Sequence, residues 1–321
     1  MEPRIIGANS GLDRPAVREV QVDEGSDGQR LDNFLIRLLK GVPKTHVYRV
    51  IRSGEVRVNK GRAQADTRVV TGDVIRVPPV RVPDRSDRPV APAREFAILF
   101  EDDHVLAIDK PAGVAVHGGS GVSFGVIEQM RQARPEARFL ELVHRLDKET
   151  SGILLLAKKR SALTRLQDQF RERDTAKIYA ALVAGAWPAS LKVIDLPLLK
   201  TLDADGERHV RVTSASHEDA RRSITLVKVA QAFAGHTLLD VTIKTGRTHQ
   251  IRVHLSHHGH PIIGDPKYGD FALNKAFAKQ TRFARMFLHA RHLAFDHPVD
   301  GRRIALDCPI PAECATLLEK L

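Results

Sequence analysis

Residues 81–94, Arg-Val-Pro-Asp-Arg-Ser-Asp-Arg-Pro-Val-Ala-Pro-Ala-Arg, divide the chain. The segment holds three prolines and neither helical nor strand periodicity, and prolines keep such a stretch partly extended. It reads as a linker between a small unit at 18–80 and a large one at 95–321. Residues 1–17 carry Pro, Gly, Asp and Asn without an apolar run, so they read as a flexible tail rather than a secretory signal. The longest aliphatic run, Ile153-Leu154-Leu155-Leu156-Ala157, is far too short to span a bilayer.

In the small unit, Leu31, Phe34, Leu35, Leu38 and Leu39 recur at helical spacing and predict one apolar helix face. Gly41 ends that helix and Pro43 opens the next segment. A second helix, about 45–53, turns Val47, Val50 and Ile51 inward and Lys44, Arg49 and Arg52 outward, and Gly54 stops it. Glu55–Asn59 and Val74–Val77 alternate apolar and charged residues and read as short strands.

In the large unit, Phe96–Phe100 and Val105–Ile108 read as a hairpin and Gly152–Ala157 as a buried strand. Ser161 is expected to cap a helix bearing Leu163, Leu166 and Phe170. Ile178–Val183, Ser223–Val229, Thr237–Lys244 and Phe287–Phe295 are strand-like, and Thr248 is placed to cap a helix through Ile251, His254 and Leu255. Strands and helices do not alternate in a βαβ rhythm. The fold class is therefore α+β, with a mixed, mostly antiparallel sheet flanked by helices and loops.

Fifty Lys and Arg oppose 39 Asp and Glu, a net charge of +11, which suggests a polyanionic partner. Cys308 and Cys314 are too few for a disulfide framework and lack the spacing of a zinc site, so they read as reduced thiols in a cytoplasmic protein. His254, His257, His258 and His260 crowd into seven residues. Imidazoles bind metals, but H-E-x-x-H is missing, and solvated or RNA-facing histidines are the preferred reading. The loop His117-Gly118-Gly119-Ser120-Gly121 fits no nucleotide-phosphate motif, and no G-x-S-x-G elbow offers a serine nucleophile. What remains is Asp147, a loop carboxylate near arginines. By residue type alone such an aspartate is more often a turn or cap residue.

Four ordered motifs change that reading. His144-Arg145-Leu146-Asp147-Lys148-Glu149-Thr150-Ser151-Gly152, Lys177–Val183, Gly246-Arg247-Thr248-His249-Gln250-Ile251-Arg252-Val253-His254 and Gly264-Asp265-Pro266-Lys267-Tyr268-Gly269 resemble the RluA family of pseudouridine synthases. Residues 18–80 resemble the S4 RNA-binding domain through Arg30–Leu35, Arg49–Asn59 and Gly72–Ile75. Lys40–Lys44, Val77–Val82, His117–Glu128 and Arg134–Val143 bring the chain closest to members acting on large-subunit rRNA.

The resemblance implies isomerisation of uridine to pseudouridine in 23S rRNA or its large-subunit precursor, with no cofactor and no metal. The chain is expected to be a monomeric, cytoplasmic enzyme that touches no membrane. Asp147 would be the catalytic carboxylate, attacking C1′, attacking C6 or stabilising charge as the N1–C1′ bond breaks. Arg247 would be the cation paired with it, and Tyr179 the ring against the uracil. Since the base must leave its stack, Arg145 would fill or support the vacated space. Lys44, Arg49, Arg52, His249 and Arg252 would contact RNA. A non-catalytic RNA-binding or ribosome-assembly protein is the rival, and a family member acting on tRNA or another rRNA site is a third reading.

Overall fold

The computed structural model describes residues 5–6, 16–81, 90–119, 123–202 and 208–321. The expected tail lies almost wholly outside them, as do most of the expected linker and the end of the glycine-rich loop. The chain forms two compact units, Met1–Val90 and Ala91–Leu321.

The small unit runs β1 (Ile5–Ile6), β2 (Arg18–Gln21), α1 (Leu31–Leu38), α2 (Lys44–Arg52), β3 (Arg57–Val58), β4 (Gly61–Arg62) and β5 (Val74–Val77). Its antiparallel sheet has the order β1-β2-β5-β3-β4. Leu31, Phe34, Leu35 and Leu39 pack with Val47, Val50 and Ile51 over Ile75 and Val77. Leu38 stays half-buried at the margin of the predicted stripe. Full burial of each such side chain contributes roughly 1.5–3 kcal/mol. The helix pair therefore holds the fold, and the polar side of α2 is left to water.

The large unit begins with β6 (Ala97–Glu101) and β7 (Val105–Lys110), the expected hairpin, followed by α3 (Val126–Ala133) and β8 (Glu141–Leu142). Next come β9 (Ser151–Ala157), α4 (Arg160–Glu172), β10 (Ala176–Ala184) and β11 (Val193–Asp195). β12 (Leu198–Leu202) and β13 (Arg208–Val212) form a separate two-stranded ribbon. β14 (Ile224–Phe233), β15 (His236–Ile243), α5 (Gln250–His257), α6 (Phe271–Thr281), β16 (Leu288–Asp296), β17 (Arg303–Asp307) and α7 (Ala312–Leu318) complete the chain.

The ten-stranded sheet has the order β11-β14-β15-β10-β16-β9-β7-β6, with β17 beside β16 and β8 beside β9. Every described pairing is antiparallel except β9 with β16, so the sheet is mixed. All seven residues of β9 are buried. Leu154 and Leu156 pack with Leu106, Ile108 and Met130, while Ile153 and Leu155 pack with Leu163, Leu166 and Phe295. A strand covered on both faces reads as a continuous apolar run. Gly152, at φ +107, is the second residue of β9. A Cβ there would sit 2.3 Å from the Ala290 carbonyl oxygen, so only glycine fits where β9 passes Ala290 of β16.

Two expected caps are displaced. Lys159 takes the position before α4, leaving Ser161 in its first turn. His249 precedes α5 in the left-handed region, at φ +53, which puts Thr248 one residue too early. Gln250 organises that turn instead, its Oε1 accepting from Thr245 Oγ1 at 2.7 Å and from the Arg247 amide at 3.1 Å.

Candidate active site

The loop between β8 and β9 carries Asp147 and is pinned from several sides. His144 Nε2 accepts the Leu155 amide proton at 3.1 Å, and its ring stacks on Phe170 at 4.8 Å. Burial, with the charge of Lys177, pulls the His144 pKa down to about 4, so the ring is a neutral acceptor. Leu146 enters the core. The carbonyl of Lys148 accepts from the Gly113 amide at 2.9 Å and from Lys110 Nζ at 3.1 Å. Lys110 is fully buried and also donates to the carbonyls of Pro111 and Val114 at 2.9 and 2.8 Å. Burial lowers its pKa to about 7. The Asp109–Gly113 turn thereby acts as a foundation for the Asp147 loop.

Asp147, with 29% of its side chain exposed, faces both a cleft of about 1180 Å³ and a small pocket of about 100 Å³. Arg252 Nη1 donates to its Oδ2 at 3.1 Å. Arg252 projects from α5 and is only 5% exposed. Its Nε and Nη2 donate to the two oxygens of Asp265, both at 2.8 Å, and its guanidinium lies 5.1 Å from the Tyr268 ring centre. Burial works against this charge, but the bonds and charge of Asp265, with those of Asp147, outweigh it and raise the pKa. The cation persists, and a two-sided fork holds it in one orientation.

Arg247 is not that partner. It is exposed along the cleft, and its Nε donates to the Arg222 carbonyl at 3.4 Å. Residue 247 precedes α5, whereas 252 lies on the buried side of the helix, so five residues separate a rim position from a floor position. Arg252, expected to contact RNA, is correspondingly withdrawn from the surface.

Tyr179 lines both the cleft and the small pocket. Pairing of β10 with β16 shifts register between Ile178 and Tyr179, and such bulges re-aim side chains near sites. Burial, reinforced by the negative charge of Asp147, lifts its phenol above the ordinary value, so the hydroxyl stays protonated. Arg145 is exposed at the mouth of both cavities, and His249 lies beside Asp147, Nε2 to Oδ2 3.8 Å. Lys177, Lys244 and Lys267 add positive charge to the cleft, and Phe271 gives it an exposed aromatic wall.

Lys44, Arg49 and Arg52 sit exposed on α2 of the small unit. Arg49 has a loose pair with Glu55, at 3.8 Å, and a long contact with His46 Nε2, at 3.5 Å. The histidine run divides: His254 is buried between Thr225 Oγ1 and the Leu196 carbonyl, at 2.9 and 3.0 Å, and so is neither solvated nor facing RNA. Among the described residues no three His, Cys, Asp or Glu side chains gather as a metal site. Asp265, Tyr268, Lys110 and Lys177 received no role from the sequence, although all but Lys110 lie in the four ordered motifs.

A cleft with an arginine-clamped aspartate and a buried tyrosine, on this mixed sheet, defines the class. The RNA pseudouridylate synthase pattern matches residues 104–257 and the S4 domain matches residues 29–75. Ribosomal large subunit pseudouridine synthase C of Haemophilus influenzae is 47% identical over 98% of both chains. Its Escherichia coli K12 counterpart is 48% identical over 96% of this chain and 97% of its own. Among solved structures, Human RNA Pseudouridylate Synthase Domain Containing 4 superposes with a TM-score of 0.58 at 28% identity, covering 70% of this chain and 92% of that one. The chain belongs to the RNA pseudouridylate synthase family and carries an S4 domain.

Proposed function

We propose that the protein isomerises uridine to pseudouridine at specific positions of 23S rRNA. The observation that carries this reading is the clamped carboxylate of Asp147 beside Tyr179 in a basic cleft. Full-length similarity to relatives named for the large ribosomal subunit supports the substrate.

The reaction breaks N1–C1′, turns the uracil and joins C5 to C1′, and a proton leaves C5. Asp147 acts as the ionised carboxylate, whether its first bond is to C1′, to C6 or to neither. Arg252 pairs with that carboxylate and fixes its direction as water is excluded. Tyr179 offers a ring face to the uracil. Because its hydroxyl holds its proton, it can accept the C5 proton only by passing its own on. Arg145, at the mouth, occupies the space the extruded base leaves. Arg247, on the rim, is better placed for a phosphate than for Asp147.

On α2, Lys44, Arg49 and Arg52 hold the RNA backbone without reading bases. We assign the chain to the cytoplasm, acting as a monomer. Burial raises both thiols, Cys308 and Cys314, to about 12, which suits inert reduced cysteines. Among the described residues no helix is long and apolar enough to cross a membrane.

Asp147→Asn should abolish pseudouridine formation on 23S rRNA while leaving RNA binding largely intact. Normal turnover by that variant would overturn the assignment. A non-catalytic binder would have no use for a buried Arg252–Asp265 pair behind one loop carboxylate.

A further inference from the structure

His249 stands where a helix cap belongs, yet its side chain caps nothing. Its backbone takes the left-handed region at φ +53, which non-glycine residues enter at a cost and which clusters at functional sites. That turn points the imidazole between two groups. Nδ1 lies 2.8 Å from the Tyr268 hydroxyl, and Nε2 lies 3.8 Å from Asp147 Oδ2.

The Tyr268 hydroxyl already accepts the Val210 amide proton at 3.1 Å. It has one proton to give, and Nδ1 is the acceptor in reach. Burial pushes this phenol up to about 12, so the proton is always there. Burial also lowers the imidazole pKa, against the pull of Asp147 and with the help of Arg252 and Lys267. A neutral ring that accepts at Nδ1 must carry its own proton on Nε2.

We propose that His249 is a positioning residue for Asp147: Tyr268 locks its tautomer, and its Nε2–H joins Arg252 in holding Oδ2, which leaves Oδ1 as the reacting oxygen. The inference rests on Asp147 being the reacting carboxylate. Among the described residues nothing bonds Oδ1, while Arg252 and His249 both approach Oδ2. The 3.8 Å separation closes to a hydrogen bond when substrate excludes water, as catalytic contacts tighten in the complex. Tyr268 serves both clamps: its hydroxyl is on His249 and its ring face is beside Arg252.

The test is single-turnover pseudouridine formation and RNA binding by the full-length protein on a 23S rRNA transcript. An inactive wild type, or an active Asp147→Asn, overturns the functional reading and this inference with it. With those controls in order, His249→Leu should lower the rate at saturating RNA on the order of tenfold to a hundredfold, the range for a hydrogen bond to a charged group, and leave affinity unchanged. His249→Gln, whose amide nitrogen reaches the place of Nε2, should recover most of the rate. A His249→Leu variant as fast as wild type, a loss confined to affinity, or a Gln variant as slow as the Leu variant overturns the inference. Independently of activity, the ¹⁵N shifts of His249 in the free protein should show a neutral ring protonated on Nε2, and Tyr268→Phe should erase that preference. A wild-type ring protonated on Nδ1 overturns the lock.

Discussion

In the large unit, Arg252 is 5% exposed, and three of its nitrogens donate to two carboxylates at 2.8–3.1 Å. In the small unit, Arg49 is 60% exposed and has a single carboxylate contact, at 3.8 Å. The same guanidinium is thus held rigid in one place and only loosely held in the other. A desolvated charge is useful only when its direction is fixed, because an unpaired charge there is costly. A solvated charge that meets phosphates wherever they lie gains nothing from being fixed. On the proposed function, the small unit would contribute attraction and the large unit geometry.

The largest test of this contrast is Arg252→Met. It leaves Asp265, 1% exposed, without its counter-ion, and breaking such a buried pair costs about 3–5 kcal/mol. Losing the clamp on Asp147 should also slow turnover on the order of a hundredfold or more, as removal of one preorganised donor does elsewhere. Denaturant unfolding followed by the sole tryptophan, Trp187, measures the first effect, and pseudouridine assay the second. Arg49→Met should change neither beyond about 0.5 kcal/mol. If the two variants behaved alike, the contrast would collapse.

That contrast was only half legible in the sequence. The α1 stripe, the apolar run Ile153–Ala157 of β9 and the hairpin β6–β7 could be read because their periodicity is local. Asp147 became visible through ordered motifs rather than through its chemistry. Arg247 and Arg252 lie in one nine-residue motif and have equal claims by residue type. Only the position of α5 against the 264–269 loop decides between them, and that is a tertiary fact. Asp265 was the available clue: a lone acid in a quoted motif, of the sign a buried arginine needs. His249 was expected only as an RNA contact; its place beside Asp147 and its left-handed backbone are tertiary facts that no spacing announces.

Acid should separate the two units next. Burial drops the pKa of His254 from 6.5 to about 4, and that of His144 likewise. Between those values the unfolded chain binds more protons, so the large unit loses stability as pH falls from 6.5 to 4 and keeps it in full above 6.5. The loss approaches roughly 3 kcal/mol for the fully buried His254, and less for His144, which water partly reaches. The small unit has a different vulnerable group. Its Asp32 is held below the usual carboxylate range by the Arg30 guanidinium, so that contribution persists above 3.8 and fades only below it. Trp187 fluorescence should therefore report acid unfolding at a higher pH than amide exchange in α1 does. The reverse order would show that the buried histidines are not what weakens the large unit.

The smallest expected effect belongs to Arg52→Ala. Arg52 is exposed on α2, and its Nε donates to the Tyr48 carbonyl one turn back at 3.4 Å. Removing it takes away no buried group, so stability should move by no more than about 0.5 kcal/mol. If the side chain neutralises one phosphate, one counter-ion fewer is released on binding. The plot of log affinity against log salt should then flatten by roughly 0.7–0.9. Turnover at saturating RNA should be unchanged, because the residue supplies attraction without orienting anything at Asp147. The decisive measurement is the salt slope rather than affinity at one ionic strength, since a misfolded helix would weaken binding at every salt concentration and leave the slope alone. An unchanged slope with full stability would remove Arg52 from the RNA face and leave Lys44 and Arg49 to carry it.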